Sequence, residues 1–162
     1  DQKRPALFVG CLQGSPHSSN RDSIKDATKE MFGLRPRNLL LTALQALAEG
    51  LGAFTILAVN DQEHIYRHWR KRKTIFQSYD AMWSDLGARQ RADGLFVLPT
   101  TLDQRPLSEY PSNKRGTIAK RNTLELQTFK NVLDRVRERQ TLDAIERQET
   151  GLQMNQVRTP RT

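Results

Sequence analysis

Residues 53–60, AFTILAVN, decide the fold class, because they form the clearest apolar run of the chain and end at a polar Asn. An apolar run of this length, bounded by polar and turn residues, indicates a buried strand. Two similar runs, ALFVGCL (6–12) and LFVLP (95–99), predict further strands, and helical patterns separate all three. The order strand, two helices, strand, helix, strand and long helix predicts an α/β or α+β domain, with a mixed central sheet and flanking helices.

The stretch between the first two strands contains GLRPRNLLLT (33–42), which predicts a tight corner between two helices. Gly33 supplies a left-handed stop for the first helix. Pro36 suits the first turn of the second helix, which we expect to reach Gly50 or Gly52. The buried side of this second helix is predicted to consist of Leu40, Leu44, Leu47, Ala48 and Leu51.

Composition along the chain divides it into three parts. We expect an α/β core over 1–112, a long charged helix over 113–150 and a disordered tail over 151–162. The stretch 114–148 can pack on the core, on a second copy or on a partner protein. The apolar stripe of this helix consists of Leu126, Phe129, Leu133 and Val136, extended by Leu142 and Ile145. The chain starts at Asp1 without a Met and soon enters a strand-like run, so we expect an upstream region to be missing; a removed leader is the alternative.

Charge and hydropathy exclude some function classes. The 162 residues carry 26 Lys and Arg against 18 Asp and Glu, which gives net +8 and a pI near 10.1. This excess favours nucleic acid, anionic lipid, phosphorylated cofactors or an acidic carrier protein as partners. The mean hydropathy of −0.69 is too low for a membrane protein, and the longest apolar run, around 38–51, is broken by Thr42, Gln45 and Glu49, so no transmembrane helix is predicted. A single Cys, Cys11, excludes an intrachain disulfide and fits a reducing compartment.

Two helix starts are candidate sites for an anion. Arg35 and Arg37 flank the start of the second helix, where free N–H groups and the helix dipole attract negative charge, and Asn38 follows them. The alternative is a corner between two helices without an anion site, in which the arginines are solvated and Asn38 hydrogen-bonds to the backbone. At the first helix start the candidates are Ser18, Ser19 and Asn20, for which capping is the alternative role.

A dense basic patch lies in HIYRHWRKRK (64–73), where aromatic residues alternate with charges. Its members are Tyr66, Arg67, Trp69, Arg70, Lys71, Arg72 and Lys73. Phosphates attract the cations and bases can stack on the rings, whereas a basic helix with an aromatic side can also lie on anionic lipid. The alternative is a solvated face with Trp69 in the core.

Glu63 and His64 are the candidates for acid–base chemistry, because they follow a strand end and His titrates near neutral pH. A structural histidine is the alternative for His64. His64 and His68 lie at i and i+4 on one helix face, but the sequence offers no third ligand, so no metal is expected.

Several stretches together resemble the VirK/YbjX family of bacterial proteins: FVGCLQG, IKDATKEMFGLRPRNLLLTALQALAEGLG, AVNDQEHIYRHWR and YDAMWSDLGARQRADGLFVLP. The resemblance covers roughly residues 7–135 and corresponds to the C-terminal half of longer family members. It implies a bacterial protein linked to virulence, envelope stress and antimicrobial-peptide resistance, located in the cytoplasm or peripherally on the inner membrane. It implies no established biochemical activity.

The order of elements is also similar to half of a GNAT-like acyltransferase fold, in which a strand leads into a loop and helix start that hold the donor's pyrophosphate. This chain lacks the Gly-rich loop and has an extra helix, so coenzyme A is a less natural donor than acyl carrier protein or aminoacyl-tRNA. The resemblance implies an acyl or aminoacyl transferase, with the donor's phosphate near Arg35 and Arg37. The competing function is a non-catalytic factor that binds anionic lipid or nucleic acid. A deep cleft between strands 7–13 and 54–60 would favour the transferase.

Overall fold

The computed structural model describes residues 5–12, 20–63 and 78–157. The described residues form four strands, four α-helices and one short 3-10 turn. In chain order these are β1 (Ala6–Val9), α1 (Asn20–Glu30), α2 (Pro36–Gly50), β2 (Thr55–Ala58), α3 (Tyr79–Asp85), β3 (Arg89–Gln90), β4 (Phe96–Leu98), the 3-10 turn (Leu107–Glu109) and α4 (Ser112–Val157). The predicted helix that contains residues 64–73 lies outside the described residues.

The four strands form one mixed sheet in the order β1-β2-β4-β3. β1 and β2 are parallel, with Ala6 opposite Thr55, and the connection between them contains α1 and α2. β4 runs antiparallel to both β2 and β3. The mixed α/β fold with a long C-terminal helix is therefore confirmed, whereas its GNAT-like character stays a prediction.

One face of the sheet carries the core. Alternate residues of the strands point to this face and pack against α2 and α3. Its largest member is Trp83 of α3, which is fully buried and donates from Nε1 to the carbonyl of Val59 at 2.8 Å. The buried cluster consists of Val9, Ala48, Ile56, Ala58, Tyr79, Met82, Trp83, Leu86, Phe96 and Leu98.

The buried side of α2 matches the prediction only in part: Ala48 is buried and Leu44 packs against the core. Leu40 and Leu51 are each 48% exposed, whereas the buried residues include the polar Thr42 and Gln45. The Gln45 amide donates to two carbonyls of the chain after β4, those of Pro99 and Thr101, at 3.1 and 3.0 Å. A buried amide with two such bonds is compatible with the core, so tertiary contacts override the pattern of leucines.

α4 is a single helix of 46 residues, about 69 Å long at 1.5 Å per residue. It packs along α2 and continues past residue 150 to Val157. Of the predicted apolar stripe, Leu133 is buried, while Leu126 and Leu142 are about half exposed. Only part of the stripe therefore packs on the body of the protein.

Candidate anion-binding site at the start of the second helix

The corner between α1 and α2 is built by local backbone chemistry. Phe32 and Gly33 both have positive φ angles, +57° and +81°, and this left-handed pair ends α1. The next residue, Leu34, is buried. Arg35 is extended (φ −73°, ψ 141°), as the residue before a proline prefers, and Pro36 opens α2. The predicted left-handed stop and helix start are both present.

The first turn of α2 contains no carboxylate of its own. No acidic residue lies in this turn, and the side chain of Arg35 makes no capping bond. The N–H groups of Asn38 and Leu39 both turn back to the carbonyl of Arg35, at 2.9 and 3.3 Å. Pro36 has no N–H group, so the first turn offers an anion fewer donors than a helix start without proline.

Arg37 is held in place by an ion pair with the last residue of α3. Its Nη2 lies 2.8 Å from Oδ2 of Asp85, and the arginine side chain is much the less exposed of the two, 21% against 61%. Its Nε is buried and has no hydrogen-bond partner among the described residues. A buried guanidinium N–H without an acceptor is costly to the folded state.

Two cations of α4 reach the same corner. Arg121 donates from Nη2 to the carbonyl of Phe32 at 3.0 Å, and Nζ of Lys120 lies 5.6 Å from the centre of the Phe32 ring. The Nε of Arg121 is also buried without a partner among the described residues. A Cβ added at Gly33 would lie 3.0 Å from Nη2 of Arg121, so the glycine allows this close approach.

We call this group of four cations the cationic corner: Arg35, Arg37, Lys120 and Arg121. Sequence analysis missed Lys120 and Arg121, which lie more than 80 residues from Phe32 in the chain. The available signal was that Arg121 follows the buried Ile118 by three positions and therefore shares its helix face. The corner combines a helix start with four cations, and the one ion pair that the described residues make with these four is that of Arg37 with Asp85.

A second polar group lies where β2 ends. Asn60, 7% exposed, accepts from the N–H groups of Gln62 and Glu63 at 2.8 and 2.7 Å, and donates to the carbonyl of Gly94 at 3.1 Å. Its side-chain oxygen thus caps the turn at residues 61–63 that directly follows β2. The candidate base Glu63 is exposed. Cys11 lies 3.4 Å from the hydroxyl of Tyr79, measured from Sγ.

Asp61 connects the end of β2 to the start of α3. Its carboxylate accepts from the N–H of Tyr79 at 2.6 Å and from the hydroxyl of Ser78 at 2.7 Å. Its own N–H donates to Oδ1 of Asp80 at 2.9 Å. These three bonds attach the end of β2 to the start of α3, so Asp61 serves α3 rather than the turn that directly follows it.

The first two strands stay paired to their ends. The N–H of Val59 donates to the carbonyl of Val9 at 3.2 Å, one position beyond the parallel register. The described parts of these strands therefore do not splay into the cleft that a transferase would need. A Cβ added at Gly10 would meet nothing within 4 Å, so open space begins directly after β1.

An apolar groove lies elsewhere, between the end of α2 and the middle of α4. Its volume is about 530 Å³, and its lining includes Leu47, Leu51, Val132 and Val136. None of the candidate site residues lines it. Among the helices of the described ranges, none is long and apolar enough to span a membrane.

Several candidate residues lie outside the described residues and stay predictions. These are Ser18, Ser19, His64, Tyr66, Arg67, Trp69, Arg70, Lys71, Arg72 and Lys73. The side chain of Asn20, at the start of α1, also lies outside the description. Within residues 5–12, 20–63 and 78–157, no group of three or more His, Cys, Asp or Glu side chains could hold a metal ion.

Comparison with known proteins identifies relatives of unknown activity. Residues 1–135 match the model of a family described as "Protein of unknown function (DUF535)". The "Uncharacterized protein YbjX" of Escherichia coli K12 is 32% identical over 123 residues, which are 74% of this chain and 37% of that protein. Two uncharacterized proteins of Haemophilus influenzae are 28% and 26% identical, over 72% and 71% of this chain and 39% of each relative. No solved structure matches.

Proposed function

The chain belongs to the DUF535 family, the VirK/YbjX family of bacterial proteins, and from that premise we propose that it binds a phosphate-bearing partner at the cationic corner. The observation that carries the proposal is that Arg35 and Arg37 lie at the start of α2, while Lys120 and Arg121 of α4 contact Phe32, three residues before Arg35. Among these four cations, the described residues make one ion pair, that of Arg37 with Asp85. Guanidinium groups pair with phosphate in a bidentate manner, and the helix dipole adds to the attraction.

The distribution of charge supports a macromolecular partner. The described residues carry 17 Lys or Arg and 17 Asp or Glu, so they are neutral as a whole. Residues 64–77 carry five Lys or Arg and no Asp or Glu. The positive charge is therefore concentrated in one segment of the sequence, while the described residues are neutral. This distribution favours an extended anionic surface, such as anionic lipid or nucleic acid, over a small cofactor as the binding partner.

The pairing of the first two strands supports binding rather than catalysis. A transferase needs the strands to separate so that the acyl donor can enter between them, and β1 and β2 stay hydrogen-bonded as far as Val9 and Val59. A protein that binds through its surface needs no such cleft. The proposal places the protein in the bacterial cytoplasm or on the inner membrane, with a role in envelope stress, virulence or antimicrobial-peptide resistance.

Phosphate binding is tested by thermal stability with and without phosphate. At ten times its dissociation constant, phosphate should stabilise the protein by about 1.4 kcal/mol, which is about 3–6 °C in Tm for a chain of this size. The response should disappear in Arg35→Ala/Arg37→Ala and persist in Arg89→Ala/Arg91→Ala, which removes the same charge from exposed positions. The same response in both double variants would refute the proposal.

The type of partner is tested by binding to two anionic surfaces. Vesicles of phosphatidylglycerol in phosphatidylcholine and a single-stranded oligonucleotide are compared at the same ionic strength. Preference for one surface, lost in Arg35→Ala/Arg37→Ala, identifies the partner class. Equal binding of wild type to neutral vesicles would show that charge does not drive the association.

Acyl or aminoacyl transfer is the second candidate, and one observation favours it. α2 connects to β2 through four residues, so α2 starts on the side of the sheet where β2 ends. The cationic corner and the strand-end residues Cys11, Asn60 and Glu63 therefore lie on the same side. A donor such as acyl carrier protein, acyl coenzyme A or aminoacyl-tRNA could place its phosphate at the corner and its acyl group beside Gly10.

Transfer is tested with each donor and a cellular extract as acceptor. If Glu63 or His64 acts as the base, its replacement by Gln should lower transfer by at least about tenfold, because a general base contributes about 10²–10⁴ in rate. Equal activity of wild type, Glu63→Gln and His64→Gln would exclude both residues. If no donor supports transfer, the transferase function is excluded and binding of a phosphate-bearing partner remains as the proposed function.

A further inference from the structure

The sheet has a second face that carries apolar side chains and lies opposite the core. Strand alternation places Ala6, Phe8, Thr55, Leu57 and Val97 on this face. The register brings Phe8 beside Leu57, and Leu57 beside Val97, across three strands. Phe8 is 57% exposed, while Leu57 and Val97 are half-buried. A sheet with apolar residues on both faces requires a layer on each.

Within residues 5–12, 20–63 and 78–157, no strand pairs with the outer side of β1. The carbonyls of Pro5 and Val9 accept from the N–H groups of Phe54 and Val59, so alternate residues of β1 point towards β2. Ala6 and Phe8 therefore direct their N–H and C=O groups away from the sheet. β1 is the edge strand of the sheet that the described residues form, in the order β1-β2-β4-β3. β1 reads ALFV, with none of the charged residues that usually protect an edge strand.

The size of the family members indicates what covers this surface. The matched part amounts to 37–39% of the length of the relatives, so roughly three fifths of each relative lies outside it. A second copy of this chain is a poor alternative, because pairing two four-residue strands buries far less than the 1,200–2,000 Å² or so of a stable interface. A covalently connected segment does not need so large an interface.

We propose that the open edge of β1 and the face formed by Phe8, Leu57 and Val97 are the docking surface for the remainder of the chain in full-length family members. That remainder adds a strand beside β1 and lays an apolar layer on the second face of the sheet. The surface is separate from the cationic corner, so the proposal does not rest on the proposed function.

Thiol accessibility at position 8 tests this docking. The matched part of the Escherichia coli relative is replaced by this chain, giving a full-length chimera, and the isolated chain is the reference. Both carry Cys11→Ser with either Phe8→Cys or, as a control, Ile24→Cys, since Ile24 on α1 is also exposed, at 46%. We expect maleimide to react at position 8 at least tenfold more slowly in the chimera, and at position 24 equally fast in both proteins.

A second measurement covers the case in which the chimera does not fold. The remainder of the Escherichia coli relative is co-expressed with this chain, tagged, and should co-purify with it. Phe8→Glu should abolish co-purification and Ile24→Glu should not. Equal rates of maleimide labelling at position 8 in the chimera and in the isolated chain would overturn the proposal. Co-purification that is unchanged by Phe8→Glu would also overturn it. Protection of position 8 that grows with the concentration of the isolated chain would also overturn it, in favour of a second copy.

Discussion

The substitution Gly50→Ala tests how α4 is attached to the body of the protein. Gly50 is the last residue of α2, and a Cβ added there would lie 2.7 Å from Cγ1 and 2.9 Å from Cβ of Val136 on α4. Atoms this close must move apart, so the two helices would have to separate locally. Gly50 therefore allows α2 and α4 to approach each other more closely than any other residue type would permit.

Two opposing effects determine how much Gly50→Ala changes the free energy of unfolding. Alanine in place of helical glycine stabilises by about 0.5–1 kcal/mol, whereas overpacking a tight contact costs about 1–3 kcal/mol. The clash should prevail, with a net loss of about 1 kcal/mol. Gly116 on α4 is the matched control, because a Cβ there meets nothing within 4 Å. Gly116→Ala should therefore stabilise, by about 0.5–1 kcal/mol.

Urea denaturation followed by far-ultraviolet circular dichroism measures both variants. Their free energies of unfolding should differ by about 1.5–2 kcal/mol, and their Tm values by about 3–8 °C. In a double-mutant cycle, Val136→Ala should weaken the penalty of Gly50→Ala, although the remaining Cβ at 2.9 Å limits the recovery. A Gly50→Ala protein as stable as Gly116→Ala would refute the close packing of α2 on α4.

Three further predictions concern other parts of the molecule. Asn60→Ala removes a buried side chain that accepts two N–H groups and donates to the Gly94 carbonyl, and should lower the free energy of unfolding by about 1–2 kcal/mol. Gln90→Ala is the control: it removes one exposed hydrogen bond to the same carbonyl and should cost under about 0.5 kcal/mol. Equal costs of the two variants would contradict the capping role of Asn60. Trp83→Phe removes the buried bond to Val59 and should cost about 1–3 kcal/mol in the same urea assay, and an unchanged midpoint would contradict it. Replacing Arg70, Lys71, Arg72 and Lys73 by Gln lowers the net charge from +8 to +4. The affinity for anionic vesicles should fall, and its dependence on salt concentration should become weaker. If affinity and salt dependence both stay constant, the basic patch is only a solvated face.

Local patterns in the sequence were sufficient for the main elements. The apolar runs at 6–12, 53–60 and 95–99 predicted β1, β2 and β4, and the Gly33–Pro36 spacing predicted the end of α1 and the start of α2. These signals are local, since they depend on neighbouring residues and on backbone angles that Gly and Pro allow. β3 was missed, because Arg89–Gln90 is a two-residue exposed strand with no apolar pattern.

The candidate site divides in the same way. The position of Arg35, Arg37 and Asn38 at a helix start could be predicted from sequence, because a helix start is defined by the residues that surround it. Their role in binding an anion stays a prediction. Asp85, Lys120 and Arg121 join Arg37 and Phe32 through contacts between distant parts of the chain, and no spacing rule relates such positions.

The sequence by itself determined the segments that form β1, β2 and β4, where the corner between α1 and α2 lies, and that the chain carries a large positive charge. Only the tertiary structure decided the strand order, the burial of Gln45 against the carbonyls of Pro99 and Thr101, and the attachment of Asp61 to α3. The physical reason is that backbone conformation responds to near neighbours, whereas a buried polar group is stable only where the fold supplies a partner from elsewhere in the chain.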